Sequence, residues 1–397
     1  MNYQLAGALA STVLGASPRA WAATVGLLIS LACGKQEPGS QEITHLVGTA
    51  SEYSALPRFE VVSIVPMCEA SLSCDVAAVP AASTATDRWL VVTVSDNRRP
   101  QLRRFDLLTG TSIPIGGAGS GPGEYGVLMA LSIDSSGRVG ALDILQQRTI
   151  LFDSTGSFER DIRIQIPPGY IAGWITKDAA HFVAAGRSGP SRDSSFTALY
   201  SFDFAGGGLE KNVDLPFIAR VWQLSDMRPL PAAFAAENQW ARSPQGRILF
   251  SSGVDFETHS IDPGAGSHSL FGFDITPRAV TAVDLERSLA RRVAGISNPA
   301  MRNAIERGQS NAAAQHPAIT RLVTVANENV WIRESPREAG DSVRWTKFDA
   351  ASGAAAGYLM LATNDEILAA TGDRVLVMHG AQGGTPPFEW LRLDSPD

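Results

Sequence analysis

The sequence predicts an all-β fold, a six-bladed β-propeller with a helical insertion between its fourth and fifth blades. Three observations predict it. Gly (37) and Pro (23) are abundant while only 18% of residues are charged, which suits many short strands and turns. One strand-turn unit recurs six times. An unpartnered strand precedes the first unit, and the last unit lacks its outermost strand.

The repeat is an apolar strand ending in an apolar residue, then Asp, then a turn of small residues. Its copies end at Phe105-Asp106, Phe152-Asp153, Phe202-Asp203, Ile261-Asp262, Phe348-Asp349 and Leu393-Asp394. Asp at a strand end accepts hydrogen bonds from backbone N–H groups two residues on, so each copy is a turn with a mechanism. Asp106, Asp153, Asp203, Asp262, Asp349 and Asp394 are therefore read as turn residues rather than as a ring of metal ligands.

Ahead of each copy a polar turn leads into a second apolar strand: "TDRWLVVTV", "SSGRVGAL", "KDAAHFVAA", "PQGRILFSS", "NENVWIRE" and "TGDRVLVMH". Where nothing intervenes the copies are about 45 to 50 residues apart, the length of one propeller blade. Two intervals are longer, placing extra material at about 216–238 and at 276–317. In the second, "VDLERSLARRVAG" and "NPAMRNAIERG" read as helices. Asn298 caps the second of them, Pro299 takes its first position and Gly308 follows its end. The arginines of this arm, Arg287, Arg291, Arg292, Arg302 and Arg307, outnumber its acids and mark a contact for an acidic partner, or else a solvated helix face.

The last copy stops at the C-terminus without the strand that 157–164 supplies after the second copy. "FEVVSIV", 59–65, is β-branched through its middle and is expected to complete the last blade. The propeller then covers 58–397.

The N-terminal residues read as an address. Ala20 to Ala32 is an uncharged, mostly apolar run after Arg19, too short to span a bilayer. Residues 1–32 are thus expected to be a signal peptide. Cys33, after Leu31-Ala32, resembles the lipobox of bacterial lipoproteins; a plain cleaved signal is the alternative. Acylation of Cys33 makes 33–57 a tether, and Gly34 rather than Asp in the next place favours the outer membrane, facing the periplasm or the cell surface. Cys68 and Cys74 remain as a close pair in an oxidising setting and are expected to form a disulfide, a two-thiol metal site being the alternative.

The run "IGGAGSGPGEYG", 115–126, contains Gly121-x-Gly123-x-x-Gly126, the spacing of a dinucleotide cradle. Such a cradle needs a helix opening on the glycines, and here Pro122 sits inside the run and the strand-like "LMALSI" follows. Gly121, Pro122 and Gly123 are read instead as shaping the crossing from the first blade to the second, with Tyr125 packing beneath it.

With its neighbours this run resembles the repeat of NHL-type six-bladed propellers, especially bacterial exported and lipoprotein members. The matching residues are Gly121, Pro122, Gly123, Glu124 and Tyr125, then Asp134, Gly137, Arg138, Asp143 and Arg148, then Phe152, Asp153 and Gly156. The resemblance implies the propeller and export. Such propellers serve as enzymes, scaffolds and ligand binders alike.

The net charge of −7, with no Lys or Arg block, leaves nucleic acid without an electrostatic footprint. No Gly-x-Ser-x-Gly elbow occurs in a strand-turn-helix setting, and no catalytic residue is assigned. The six histidines show no i, i+4 pair. The expected function is a lipid-anchored binding or interaction module of the cell envelope, touching the membrane through its anchor only and engaging an envelope protein or a small ligand without a cofactor. The alternative is a propeller hydrolase or lyase with Ca²⁺ or Zn²⁺ in the central channel.

Overall fold

The computed structural model describes residues 43–66, 83–86, 88–96, 99–168, 170–175, 178–187, 195–215, 221–222, 230–243, 246–262, 267–324, 328–336, 342–380 and 388–394. The expected signal peptide, Cys33, and the Cys68/Cys74 pair lie outside them.

Six antiparallel sheets follow one another along the chain. From inner to outer strand, the first is Ser83–Ala85, Trp89–Asp96, Arg99–Asp106 and Ser112–Ile115; the second is Leu128–Ile133, Val139–Asp143, Arg148–Phe152 and Phe158–Arg163. The third is Tyr170–Ile175, Ala179–Arg187, Ser195–Asp203 and Leu209–Leu215; the fourth is Gln239–Arg242, Ile248–Ser251, Glu257–Asp262 and Ser267–Asp274. The fifth is Ile319–Thr324, Asn329–Glu334, Ser342–Asp349 and Ala355–Ala362. The sixth takes Glu366–Thr371, Arg374–Met378 and Phe388–Asp394 from the C-terminal end and Glu60–Pro66 from the N-terminal end. All six apolar-Asp copies lie on third strands, and the polar-turn strands are the second strands.

The second strands are largely apolar at their centres because each sheet is covered on both faces. In the first blade Leu90 and Val92 join a cluster with Leu368 and Leu376 of the sixth, while Val91 between them packs with Leu131 and Ile150 of the second. Likewise Trp331 faces the sixth blade, and Val330 and Ile332 face Leu249 and Phe271 of the fourth.

Closure is made by strand exchange. Glu60–Pro66 pairs antiparallel with Phe388–Asp394, giving the last sheet its outer strand. The segment does more than that. Residues 43–57, expected to belong to a tether, are laid against the ring instead: Ile43–Thr49 adds a parallel fifth strand to Ser267–Asp274 of the fourth blade. A short helix α1, Ala50–Ala55, follows, started by a capping box between Thr49 and Glu52. Phe59 N–H then donates to the Tyr358 carbonyl (2.8 Å) and Tyr358 N–H to the Pro57 carbonyl (3.0 Å) on the fifth blade. One segment thus straps the outer edges of three consecutive blades; its strands supply edges to pair, and Tyr53 and Phe59 between them are the residues it buries.

Antiparallel order assigns every connection to a side. Crossings between blades and the hairpins joining second to third strands share one face of the ring. The turns after first and third strands share the other, so the six aspartates stand on the face away from both insertions.

Candidate functional site

Both insertions are crossings, and so they rise from the same face. The 276–317 insertion is a helical hairpin as the sequence suggested. Helix α2, Ala282–Val293, starts at a second capping box: Thr281 N–H and Oγ1 donate to Asp284 (2.9 and 2.7 Å), and Thr281 Oγ1 accepts from Asp284 N–H. Helix α3, Pro299–Gly308, is capped by Asn298, which accepts from the N–H groups of Ala300 and Met301, with Pro299 at its first position. Gly308 is its last residue rather than the one beyond, and a 3-10 turn, Gln309–Asn311, leads the chain away. Helix α3 buries Ala304, Ile305 and Gly308. Helix α2 buries no residue completely, and Gln309 Nε2 ties it down by donating to the Leu285 carbonyl (2.6 Å).

The hairpin is gripped at its neck. His316 N–H donates to the Arg278 carbonyl (2.8 Å) and Val280 N–H to that of Ala314 (2.9 Å). Arg278 makes a bidentate pair with Asp284, 2.9 Å in both contacts, and its Nε donates to the Pro336 carbonyl of the fifth blade (3.2 Å). These donors hold the Asp284 carboxyl far below the usual carboxylate range, Arg278 contributing most. The same guanidinium reaches His316 Nε2 at 2.6 Å. Burial pushes the His316 imidazole down, against the opposite pull of Asp284, whose Oδ2 stands 3.3 Å from the same Nε2.

The neck also carries the other insertion. Ala313 N–H donates to the Ala233 carbonyl (2.9 Å), and the Phe234 ring lies on His316. Gly253, in the hairpin between the second and third strands of the fourth blade, seals the junction. Its φ is +72°, and a Cβ there would stand 2.8 Å from the Glu237 carbonyl and 2.9 Å from that of Ile319.

Between the neck and the fifth blade lies a cleft of about 210 Å³, bounded by 275–278, 316–318 and 334–336. Its charged groups are already engaged. Glu334, 2% exposed, accepts from the Tyr53 hydroxyl of the N-terminal strap (2.5 Å) and from Thr346 (2.9 Å), with Arg344 at 3.5 Å. Arg344 is itself sandwiched between the rings of Tyr53 and Tyr358, 3.8 Å from each. The rest of the lining is mixed: Ile275, Pro277, Pro317, Ala318 and Pro336 form its apolar walls, beside Thr276 and Ser335.

The glycine-rich run stands on the same face, between the first two blades. Gly121 N–H donates to Glu124 Oε2 (2.7 Å), and Arg148 holds the Ser120, Gly121 and Glu124 carbonyls (3.4, 3.0 and 2.7 Å). Tyr125 is fully buried beneath the run, accepting from Leu102 N–H and donating to the Ile115 carbonyl. The strand Leu128–Ile133 follows, so no helix N-terminus faces the glycines and the run's polar groups serve its own geometry.

Five of the repeated aspartates can be followed in their own contacts. Asp106, Asp153, Asp203 and Asp349 accept from the N–H groups of Leu108, Thr155, Ala205 and Ala351 two residues on. Asp262 pairs with Arg247 (3.1 Å), and Asp394 stands in register opposite Glu60. Of the arm arginines, Arg287, Arg291, Arg302 and Arg307 are exposed and Arg292 is half-buried. Arg302 donates to the Ile296 carbonyl (3.0 Å). Among the described residues no three His, Cys, Asp or Glu side chains are grouped to hold a metal, and no helix is long and apolar enough to cross a membrane.

Sequence reading missed the neck. Arg278 and His316 are far apart in sequence and follow no spacing; their only signal is that they flank the helical hairpin on either side. It also missed a histidine group on the fourth blade. His259 and His45 both stand opposite Leu270, and His268 lies two residues away on that strand, so all three share one sheet face.

No protein-family profile and no curated protein sequence matches this chain. Solved structures do. A Bacteroides vulgatus ATCC 8482 member of the DUF4221 family is 9% identical with a TM-score of 0.50, over 85% of this chain and 98% of that one. A Bacteroides fragilis NCTC 9343 protein described as a candidate exported protein is 13% identical with a TM-score of 0.48, over 90% and 100%. A virginiamycin B lyase from Staphylococcus aureus reaches 10% and 0.38, over 85% and 99%. At these identities the likeness concerns the fold and carries nothing about chemistry. The chain is a six-bladed β-propeller.

Proposed function

We propose that this chain is an exported propeller acting as a binding module of the cell envelope, and that its partner engages the face carrying both insertions, at the neck and its cleft. One observation carries the reading. Two insertions from separate crossings are joined to each other, through Ala313 and Ala233 and through His316 and Phe234, into one raised surface. Insertions on a repetitive scaffold collect where binding occurs. The cleft's charges are neutralised internally, which favours recognition over proton transfer.

The address rests on the sequence: the apolar run before Cys33, acylation of Cys33, and Gly34 for the outer membrane. Kinship with NHL-type propellers rests on 116–158, and the Cys68–Cys74 disulfide on the oxidising setting that export brings.

The test is a crosslinked pull-down from native membranes with the full chain and with a variant in which 280–314 is replaced by a short Gly-Ser turn. Stoichiometric recovery of a protein by the first and its loss with the second, at unchanged ring melting, is expected. Equal recovery by both would remove the insertion face from the reading. Palmitate labelling that persists in Cys33→Ala would remove the anchor.

A further inference from the structure

The neck joins two features that the binding reading leaves separate. The first is the cleft. At about 210 Å³ it is below the roughly 300–1,000 Å³ of small-molecule pockets. Its apolar walls are three prolines, Ile275 and Ala318, with the uncharged Thr276 and Ser335 beside them, and its charged groups are engaged within the protein. A cleft so built takes one uncharged aliphatic side chain and rejects a bare charge, for which it has no free counter-ion.

The second is a basic stripe that starts at this cleft. Asp284, in the first turn of α2, is the residue that Arg278 holds at the neck. Arg287 and Arg291 follow it at i+3 and i+7, on the same side of the helix. Both are exposed, and neither has an ion-pair partner among the described residues. With a rise of about 1.5 Å per residue, the stripe runs roughly 10 Å along the helix from Asp284, the residue held by Arg278 of the cleft, to Arg291. An extended chain covers that distance in about three residues. Residues 279–315 hold five arginines against three acids in a chain of net charge −7, so the arm opposes the sign of the rest of the molecule.

We infer that the cleft and the α2 stripe form one groove for an acidic protein segment: an aliphatic side chain seats in the cleft, and carboxylates up to about four residues along lie against Arg287 and Arg291. The inference rests on the binding-module reading and names the chemistry of its partner. The aliphatic anchor supplies affinity by leaving water, and the exposed charge pairs supply orientation and encounter rate, with the salt dependence that exposed pairs show.

The experiment is selection of a random peptide library on the full chain, on R287E/R291E and on T276W, in which an indole at the exposed rim covers the cleft mouth. Expected on the wild type are peptides with an aliphatic residue and two or more Asp or Glu within four positions. The consensus peptide should lose at least tenfold in affinity for either variant and weaken between 50 and 300 mM salt. A peptide with Lys in place of its acids should regain binding to R287E/R291E. Enrichment without acidic bias, or none beyond that on T276W, overturns the inference. So does binding of phosphatidylglycerol vesicles that R287E/R291E abolishes in the absence of peptide preference, which would reassign the stripe to a lipid surface. A native partner lost on replacing 280–314 yet retained by R287E/R291E would sink this inference and leave the binding-module reading standing.

Discussion

The imidazole of His316 lies against the ring of Phe234, centroids 4.5 Å apart, and Phe234 reaches it with a left-handed φ of 58°. That backbone state costs a bulky residue on the order of 1–2 kcal/mol, so the contacts around it must hold it in place. Each insertion therefore supports the other. Phe234→Ala removes the ring contact and keeps the strain. Amide exchange at Ala313, whose N–H is bonded to the Ala233 carbonyl, should then quicken about tenfold while ring melting holds, as local opening predicts. Unchanged protection at Ala313 would show that the insertions stand independently.

On the fourth blade His259 Nδ1 and His268 Nε2 are 2.9 Å apart, with His45 of the strap on the same sheet face. Burial, then His268 and His45, pushes His259 down to about 4, and burial also lowers His268. Glu257 faces the same group from its own strand; burial and then Asp255 raise it, against the pull of His45. The sign follows from proton counting. Between pH 6.5 and 4 the unfolded chain binds protons that the folded one refuses, so stability present above 6.5 is lost as pH falls. His259→Phe keeps an aromatic ring against Phe250 and should flatten this slope in melting curves between pH 7 and 4.5. Parallel curves for the two proteins would place the acid sensitivity elsewhere.

His379 has the opposite sign. Its Nδ1 is 3.1 Å from Asp365 and its Nε2 3.0 Å from Glu389, a clamp across the start of the sixth blade's inner strand and the hairpin between its second and third strands. The hydrogen bond to Asp365 is the largest of the effects that raise its pKa above 6.5, against the pull of burial. The clamp's stabilisation is complete below 6.5 and fades as pH rises through the raised folded value. Replacing His379 by Gln, which cannot hold both carboxylates as a cation does, should lower the melting temperature at pH 6 and matter less at pH 9. A deficit independent of pH would mean that the imidazole acts through packing alone.

The ring was legible because its signals are local and repeated. Phe-Asp turns and alternating apolar runs report periodicity and turn chemistry, which depend on neighbours in sequence. The completing strand was legible for a different reason: 59–65 had no partner of its own and the last blade lacked one. The strap over 43–57 escaped notice because "ITHLVGT" is short and half polar, as an edge strand paired on one side is. The cleft escaped it because Arg278, His316, Glu334 and Tyr53 meet only through the topology. No spacing encodes such a meeting, and each residue alone looks like any surface polar group.

The glycine run offers the sharpest test of how sequence became structure. Its fixed point is Tyr125, 0% exposed, whose hydroxyl accepts from Leu102 N–H at 2.7 Å and donates to the Ile115 carbonyl at 3.0 Å. Both partners belong to the first blade, while the ring packs with Leu128 and Phe152 of the second. Tyr125 thus bolts two blades together beneath a loop that Gly116 and Gly123 allow to fold so tightly: a Cβ on Gly116 would lie 2.3 Å from the Gly123 carbonyl. Tyr125→Phe keeps the ring and orphans a buried N–H and a buried C=O, a loss of about 1–3 kcal/mol. Tyr125→Ala adds the cavity and should cost about 3–5 kcal/mol. Chemical denaturation read by tryptophan fluorescence would measure both. A Phe variant as stable as the wild type would mean that water replaces the hydroxyl, and that the run is held from above by Arg148 rather than from below.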